Sequence, residues 1–300
     1  MKRPLVSVII PTYKSRGGLK KSIDSVLAQT YTNIEIIVID DNNPDSKERE
    51  LTEMEMLQYA NCENVIYLKH SVNKNGAAAR NTGIKASKGE FIAFLDDDDT
   101  WYPSKIENQL DFIQERKDVD AVYTFTQSGN KQPWVIPFEG NVIDPLLMNL
   151  TRMYTTTILM TRHSIEIIGG FDESFRRHQD YDLLVKFFDA GFKIACLKKI
   201  LVLYTPLGGN SLRNKDFIKL KDQFLNSFDS VLNKLDKNTP GLKNKIYAAN
   251  YSLAFYLCVS QFAFNDAINV FIHHFFDSPK TFFGQIVYQL KCKMKSKVLN

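Results

Sequence analysis

The sequence has few cysteines, and none of them are close together. The four are Cys62, Cys196, Cys258 and Cys292. Without a CxxC pair, this spacing provides neither a zinc site nor a disulfide framework, and it indicates a reducing, cytoplasmic compartment. Long uncharged apolar runs are also missing. Because the closest run, 248–264, is short and soon meets Asp266, we expect no membrane-spanning helix.

Charge of one sign is not in excess either. The net charge is +4 over 300 residues, and no Lys/Arg block interleaved with aromatics occurs in the first half of the chain. This argues against a nucleic-acid-binding protein. The short apolar run after Lys2 and Arg3 has no small-residue cleavage site, so we predict no signal peptide. The hydrophobic share of 44% is typical of a globular protein with one large domain, or with one domain and a subdomain.

Short runs of β-branched residues recur between residues 6 and 126. They are VSVII (6–10), IEIIVI (34–39), VIYLKH (65–70), FIAFL (91–95) and AVYTFT (121–126). Such runs are apolar on both faces, as in the central strands of a covered, mostly parallel sheet. Helical patterns separate them at 19–29, 48–59 and 76–87, and another follows Pro103, which suits the first position of a helix. The alternation predicts an α/β fold over residues 1–214.

From about residue 215 the pattern changes to helices rich in lysine and aromatic residues. The pattern is interrupted near Pro240 and Pro279. We therefore predict a helical C-terminal region over residues 215–300.

Polar residues follow three of the predicted strands. They are Pro11-Thr12-Tyr13, Asp40-Asp41-Asn42-Asn43 and Asp96-Asp97-Asp98-Asp99. Ligands bind beyond the carboxyl ends of parallel strands, so the three groups are expected on one rim. Four adjacent carboxylates are costly unless water or a cation covers them, and Mg²⁺ or Mn²⁺ prefers carboxylate oxygens. Alternate residues point the same way, which lets Asp96 and Asp98 serve one site.

Five segments, taken in order, resemble the family-2 glycosyltransferases. They are VSVIIPTYKS, SVLAQTYTNIEIIVIDDNNPD, NGAAARNTGIKASKGEFIAFLDDDDTW, GGFDES and QDYDLL, within residues 4–205. The resemblance implies a GT-A type nucleotide-binding domain. It also implies an inverting, metal-dependent transfer of a sugar from a nucleotide-diphosphate sugar, most simply a UDP-sugar, to a glycan or lipid-linked acceptor in cell-surface polysaccharide biosynthesis.

The resemblance also implies roles for individual residues around the donor. The nucleotide is expected at Pro11, Thr12, Tyr13, Asp41, Arg80, Asp96 and Asp97. Asp98, together with Asp96, is expected to bind Mn²⁺ or Mg²⁺. From the residues alone, a core aromatic is favoured for Tyr13 and a turn residue for Asp41, whereas Arg80 is equally readable as a rim arginine.

The expected catalytic base is Asp180, in the acidic position that follows the GGFDE loop. Gln179 stands where the family more often has glutamate. By position alone, Asp180 also suits a helix N-cap, and we expect Asp182 on the helix surface. Trp101 suits sugar stacking, although a packing role is the more favoured interpretation.

One further departure from the family pattern and two alternative functions remain open. The segment TPLGGNSLRN lacks the histidine that many family members have there, so Asn210, Ser211 or Arg213 is expected to contact phosphate instead. FLDDDDT also fits the nucleophile motif of haloacid-dehalogenase-like phosphatases, with Asp96 as nucleophile. An inactive sugar-nucleotide-binding scaffold is a third possibility.

The end of the chain combines aromatic residues with Lys291, Lys293, Lys295 and Lys297. This composition predicts peripheral contact with anionic lipid. The alternative is a packed helical subdomain with a solvated basic tail.

Overall fold

A computed structural model describes residues 3–15, 17–129, 137–151, 153–205 and 214–298. The chain divides into two compact units. The first comprises Met1–Ile143 and Met153–Thr205, and the second comprises Asp144–Arg152 and Pro206–Asn300. The short segment before residue 153 therefore belongs with the C-terminal helices rather than with the residues that flank it.

An eight-stranded sheet forms the centre of the first unit. Its strands are β1 (Val6–Thr12), β2 (Ile34–Asp40), β3 (Val65–Lys69), β4 (Phe91–Phe94), β5 (Thr100–Trp101), β6 (Ala121–Gln127), β7 (Ile158–Thr161) and β8 (Ile194–Leu203). The strand order is β3-β2-β1-β4-β7-β6-β8-β5. The first four strands in that order are parallel, β7 is antiparallel to both its neighbours, β6 and β8 are parallel, and β5 is antiparallel to β8.

Burial on both faces explains why the parallel strands were predictable. All seven residues of β2 are buried, and so are Val6, Val8 and Ile10 of β1. A strand covered by helices on both sides cannot alternate apolar and polar residues, so its sequence is a continuous β-branched run. The predicted α/β fold with a mostly parallel sheet is confirmed.

Seven helices are described between residues 19 and 189. They are α1 (Leu19–Leu27), α2 (Lys47–Met56), α3 (Gly76–Ala86), α4 (Lys105–Glu115), α5 (Ile143–Leu147), α6 (Arg162–Ile168) and α7 (Gln179–Asp189). Ser46 caps α2 by accepting a hydrogen bond from the Arg49 amide. One prediction was wrong in detail: α4 begins at Lys105, and Pro103 lies in the turn before it.

The second unit is helical, as predicted. It contains α8 (Asn214–Ser227), α9 (Asp229–Asn238), α10 (Leu242–Ser260), α11 (Phe264–His274) and α12 (Pro279–Val298). Pro240 lies between α9 and α10, and Pro279 is the first residue of α12, where its missing N–H costs nothing. No helix within the described residues is both long enough and apolar enough to cross a bilayer.

Polar side chains join segment 144–152 to these helices. Asn250 of α10, which is fully buried, donates to the carbonyl oxygen of Leu147 at 2.8 Å. Asn149 donates to the Asn250 side-chain oxygen at 2.8 Å, and Gln285 of α12 donates to the carbonyl oxygen of Met148 at 3.2 Å. These bonds satisfy backbone groups of the segment with side chains of the second unit.

Candidate active site

The carboxyl ends of β1 and β4 meet on one rim, as their parallel pairing requires. Thr12, the last residue of β1, donates a hydrogen bond from Oγ1 to Oδ2 of Asp97 at 2.6 Å. Asp97 belongs to the four-aspartate loop (Asp96–Asp99) that follows β4. The sequence predicted that these two strand ends share a site, and the Thr12–Asp97 bond connects them directly.

The aspartate loop also packs against the start of α1. A Cβ atom at Gly18 would lie 2.4 Å from the carbonyl oxygen of Asp97 and 3.0 Å from Cα of Asp98. The buried hydroxyl of Ser22 donates to the carbonyl oxygen of Asp99 at 2.7 Å. Only glycine leaves room for the loop to lie this close to the helix, and the Ser22 bond then fixes its position.

The carboxylates of the aspartate loop have different environments. Burial raises the pKa of Asp97 to about 6, and the charges of Asp96 and Asp98 add to this effect. Burial raises the pKa of Asp99 to about 8, although its carboxylate accepts a hydrogen bond from the Thr205 amide at 3.0 Å. Asp98 has a raised pKa because of burial and the charge of Asp96. Burial thus disfavours the ionised form of these carboxyl groups, and the mutual repulsion of their charges adds to this effect.

This donor set fits a hard divalent cation. Within the described residues, no group of three or more His, Cys, Asp and Glu side chains converges as a complete metal site. Asp96 and Asp98 nevertheless provide two carboxylates at one strand end. That is the small number Mg²⁺ takes from protein when diphosphate oxygens and water complete its octahedron. The carboxylates are thus suited to a cation that arrives with a phosphate ligand.

Arg80 of α3 joins the aspartate loop to the start of α7. One guanidinium nitrogen lies 2.6 Å from Oδ1 of Asp96, and the other donates to Oε1 of Gln179 at 2.8 Å. The guanidinium carbon also lies 5.5 Å from the centroid of the Phe171 ring. A buried arginine with two such bonds is held in one orientation. Its predicted contact with nucleotide or diphosphate stays a prediction.

Asp180 is partly buried in the first turn of α7. The N-cap of that helix is His178, with a left-handed backbone and no side-chain capping bond, so the N-cap interpretation of Asp180 was wrong. Burial raises the pKa of Asp180 to about 6, the Arg80 charge opposes this, and the Asp96 charge reinforces it. Oγ1 of Thr155 lies 3.4 Å from Oδ1 of Asp180. A carboxyl with this pKa is suited to general base chemistry near neutral pH.

Asp182 differs from its prediction. We expected it on the helix surface, but it is buried and accepts a hydrogen bond from the Asp172 amide at 2.8 Å. Lys186, one turn further on, pairs with it at 3.0 Å. Asp182 therefore holds the loop that precedes α7.

The loop 169–173 is also anchored to α3. Asn81 donates to the Phe171 carbonyl oxygen at 2.8 Å and accepts from the Phe171 amide at 2.9 Å. Gly170 has φ +72°, and a Cβ there would lie 2.6 Å from Oδ1 of Asn81. Asn75, which caps α3, donates to the Glu173 carbonyl oxygen at 2.8 Å. The segment NGAAARN thus positions both the aspartate loop and the loop before Asp180.

Asp41 is buried and organises the loop between β3 and α3. Its Oδ1 lies 2.7 Å from Nδ1 of His70 and accepts from the Lys74 amide at 2.9 Å. Its Oδ2 accepts from the Asn73 side chain at 2.8 Å and from the Asn75 amide at 3.0 Å. The predicted contact with a nucleobase is not tested by this arrangement. His70 was not anticipated, since nothing in its local sequence points to a strand-end aspartate.

Tyr13 lies at the end of β1 with 45% of its surface exposed, so it is not a core aromatic. Nζ of Lys14 lies 5.1 Å from the centroid of its ring. Pro11 precedes it within β1 and is partly buried. The exposed ring is available to cover a planar ligand at the rim.

Trp101 confirms the packing interpretation rather than sugar stacking. It is buried, its indole N–H donates to the Thr156 carbonyl oxygen at 3.0 Å, and Nζ of Lys105 lies 3.8 Å from its ring centroid. Thr155 and Thr156 belong to a 3₁₀ turn, Thr155–Thr157, that contacts both Asp180 and Trp101. No sequence motif predicted this turn or its contacts with the site. The predicted phosphate contacts of Asn210, Ser211 and Arg213 lie outside the described residues.

A half-sheet of parallel strands with a carboxylate-bearing loop at its rim is the architecture of an α/β domain of the GT-A type. The family described as Glycosyl transferase family 2 matches residues 7–181, which is more than half of the chain. The protein belongs to this family, as predicted. This assignment leaves the phosphatase alternative without support.

Two relatives show how far the similarity extends. An uncharacterised glycosyltransferase from Rickettsia prowazekii is 36% identical over 197 residues, which is 62% of this chain and 59% of that protein. The chain thus spans less than two thirds of the length of that relative. The UDP-Glc:alpha-D-GlcNAc-diphosphoundecaprenol beta-1,3-glucosyltransferase WfaP of Escherichia coli is 38% identical over 217 residues, covering 70% of this chain and 81% of WfaP.

Two solved structures share the fold. TarS of S. aureus in complex with UDP-GlcNAc has a TM-score of 0.59 at 18% identity, covering 89% of each chain. The mannosyltransferase PcManGT of Pyrobaculum calidifontis, in complex with GDP-Man and Mn²⁺, has a TM-score of 0.61 at 14% identity, covering 99% of this chain and 88% of that one. At such identities the likeness establishes the fold alone.

Proposed function

We propose that this protein is an inverting, metal-dependent glycosyltransferase that moves a hexosyl or N-acetylhexosaminyl group from a UDP-sugar to a glycan or lipid-linked acceptor in cell-surface polysaccharide biosynthesis. The observation that carries the proposal is the bridge made by Arg80. It links Asp96, on the donor side, to Gln179, the residue before the candidate base Asp180. The buried guanidinium of Arg80 thus holds the proposed donor side of the site and the proposed base together.

The donor nucleotide is proposed to lie over the rim formed by β1, β2 and β4. The exposed ring of Tyr13 would cover the base, with Pro11 and Thr12 beneath it and Asp41 near its polar edge. Asp96 would lie near the ribose, and Asp97, which accepts a hydrogen bond from Thr12, would line the nucleotide site beside it. The names of WfaP and of the TarS complex, which mention UDP-Glc and UDP-GlcNAc, favour uridine over other bases.

Asp98 and Asp96 are the residues proposed to hold Mn²⁺ or Mg²⁺. The cation, when bound, neutralises the diphosphate and makes it a better leaving group. The Mn²⁺ in the PcManGT complex supports this choice. Arg80 compensates part of the Asp96 charge before any cation binds, which limits repulsion within the aspartate loop.

Asp180 is proposed to take the proton from the acceptor hydroxyl as it attacks the anomeric carbon. Inversion needs one such base on the acceptor side and no covalent intermediate. Its pKa of about 6 leaves the carboxylate mostly ionised at neutral pH and still basic enough to accept a proton. Thr155 and the Gln179–Arg80 bond hold it in place.

A lipid-linked acceptor is favoured by the diphosphoundecaprenol in the name of WfaP. For such an acceptor we propose that the second unit contacts the membrane peripherally. The cytoplasmic compartment stays a prediction from cysteine usage.

The proposal is tested by calorimetric titration of the protein with UDP and dTDP, each with and without Mn²⁺ or Mg²⁺. We expect metal-dependent UDP binding that Asp98→Ala abolishes. Asp111→Ala, which removes an exposed carboxylate of α4, is the matched control and should bind as the unaltered protein does. If neither nucleotide binds under any metal condition, the proposed assignment of the donor site is wrong. Binding without turnover of any UDP-sugar would instead support the inactive scaffold.

A further inference from the structure

An apolar stripe runs along the outer side of α11 in the second unit. Its members are between 57% and 80% exposed, and they are Phe262, Phe264, Ile268, Ile272 and Phe276. From Phe264 onward they follow one another at four-residue spacing, which keeps successive members on neighbouring positions of a helix surface. Large apolar side chains this exposed rarely line up on a surface that faces only water.

The opposite side of α11 anchors the helix to its neighbours. Ala267 and Val270 are buried, and the Phe271 ring centroid lies 5.9 Å from the rings of both Phe255 and Phe282. The helix therefore already satisfies its packing within the second unit. The exposed stripe is therefore a second apolar face of α11, separate from the face that packs in the core of the second unit.

The exposed apolar surface continues onto α12. Phe283, Val287 and Leu290 are exposed at helical spacing on that helix. The Phe275 ring connects the two helices, with its centroid 5.3 Å from that of Phe283 and 5.1 Å from that of Phe276. The stripe on α11 and the face on α12 are thus joined through a chain of aromatic rings.

The sequence of this part of the chain is basic overall, which favours an anionic partner. Residues 259–300 contain five lysines and two aspartates, which gives a net charge of +3. Lys280 and Lys291 are exposed at the two ends of the α12 face. A second copy of the chain is a poor occupant, because a two-fold interface would bring the same lysines together. Anionic phospholipid offers both an apolar interior and the opposite charge.

We propose that α11, with Phe262 and Phe276 at its two ends, lies flat in the headgroup region of an anionic membrane, and that the exposed face of α12 contacts the same surface. A helix of 11 residues is about 16 Å long, roughly half the thickness of the hydrocarbon core, so it suits an orientation along the surface. This inference deepens the membrane contact of the proposed function, but its test does not depend on glycosyl transfer.

The test is sedimentation of the full chain with phosphatidylcholine vesicles and with vesicles in which about a quarter of the lipid is phosphatidylglycerol. The double variant Phe264→Ser/Ile268→Ser removes two members of the stripe. The matched control is Met54→Ser/Leu57→Ser, which removes side chains that are 63% and 72% exposed in the first unit. UDP titration of the same samples reports separately on the donor site.

We expect binding to the anionic vesicles that weakens at about 0.5 M salt, where charges are screened. The α11 variant should bind at least about tenfold more weakly, because two apolar side chains no longer enter the lipid, and the control should bind within about twofold of the unaltered protein. Equal binding of the α11 variant and the control, or no binding to either vesicle, would overturn the proposal. The proposal would also be overturned if the unaltered protein were a dimer in analytical ultracentrifugation and the α11 variant a monomer. The stripe would then be an interface between two copies of the chain. If the protein bound anionic vesicles but not UDP, the membrane contact would be supported and the proposed donor site would be contradicted.

Discussion

Gly18 offers a way to disturb the aspartate loop without removing any functional group. Its backbone is in the ordinary right-handed region, with φ −86° and ψ −31°, so alanine fits the backbone conformation itself. The effect of Gly18→Ala therefore comes from its added methyl group alone. That methyl would lie 2.4 Å from the carbonyl oxygen of Asp97 and 3.0 Å from Cα of Asp98.

The magnitude follows from these distances. To bring the methyl group to 3.0 Å from the Asp97 oxygen, the loop and α1 must separate by about 0.6 Å, and the atoms in the way are backbone atoms that cannot rotate aside. Overpacking of this kind costs about 1–3 kcal/mol of unfolding free energy. Because a 1 Å misplacement of reacting groups costs about 100-fold in rate, we expect turnover to fall by about tenfold or more.

The assay combines denaturant unfolding with steady-state turnover of a UDP-sugar and Mn²⁺-dependent UDP titration. Gly284→Ala in α12 is the matched control, because the added Cβ would meet no atom within 4 Å apart from the neighbouring backbone of its own helix. That variant should gain up to about 1 kcal/mol from helix propensity and keep its turnover. Unchanged stability and turnover of Gly18→Ala would refute the inference that close packing of glycine against the loop positions the aspartates.

Four further predictions concern the helices that flank the site. Arg80→Lys keeps the charge but cannot hold both Asp96 and Gln179, so we expect turnover to fall by about tenfold while thermal unfolding shows a folded protein. The turnover number should decrease as the pH falls below about 6, where Asp180 gains a proton, and Asp180→Asn should lower it by about 10²–10⁴ with no such pH dependence. Since burial raises the pKa of Asp180 from 3.8 to about 6, its contribution to stability is full below about pH 4 and is lost as the pH rises to about 6. Urea unfolding should therefore show Asp180→Asn gaining stability relative to the unaltered protein between about pH 4 and 6, with little further change above that range. Asn81→Ala leaves two backbone groups of Phe171 without their partner and should cost about 1–3 kcal/mol in urea unfolding, whereas a loss within error would show that water replaces the amide.

Local patterns in the sequence were enough to predict the parallel half of the fold. The strands β1 and β2 are buried on both faces, and this requirement appears directly as β-branched runs. The strands β5, β7 and β8 were missed for different reasons. The first has two residues and the second four, while β8 has exposed Lys198 and Lys199 beside a shift in its pairing register, which interrupts its apolar pattern.

The predictability of the site divides in a similar way. Asp96, Asp98 and Asp180 belong to short sequence motifs, so they could be proposed as site residues from the residues next to them in the sequence. The residues that hold these side chains in place could not be predicted in this way. The bonds from Thr155 to Asp180 and from His70 to Asp41 join residues 25 and 29 positions apart, and single neutral or titratable side chains at such distances leave no periodic signal.

The assignment of segment 144–152 to the second unit has a practical consequence for protein engineering. A chimera that joins the first unit of this chain to the helices of a relative at residue 205 would leave the old segment facing foreign helices. Leu147, Met148 and Asn149 would then lose the side-chain partners that Asn250 and Gln285 provide. Exchange of helical regions between family members should therefore transfer two pieces of sequence together, and libraries recombined at a single crossover should be depleted of folded members.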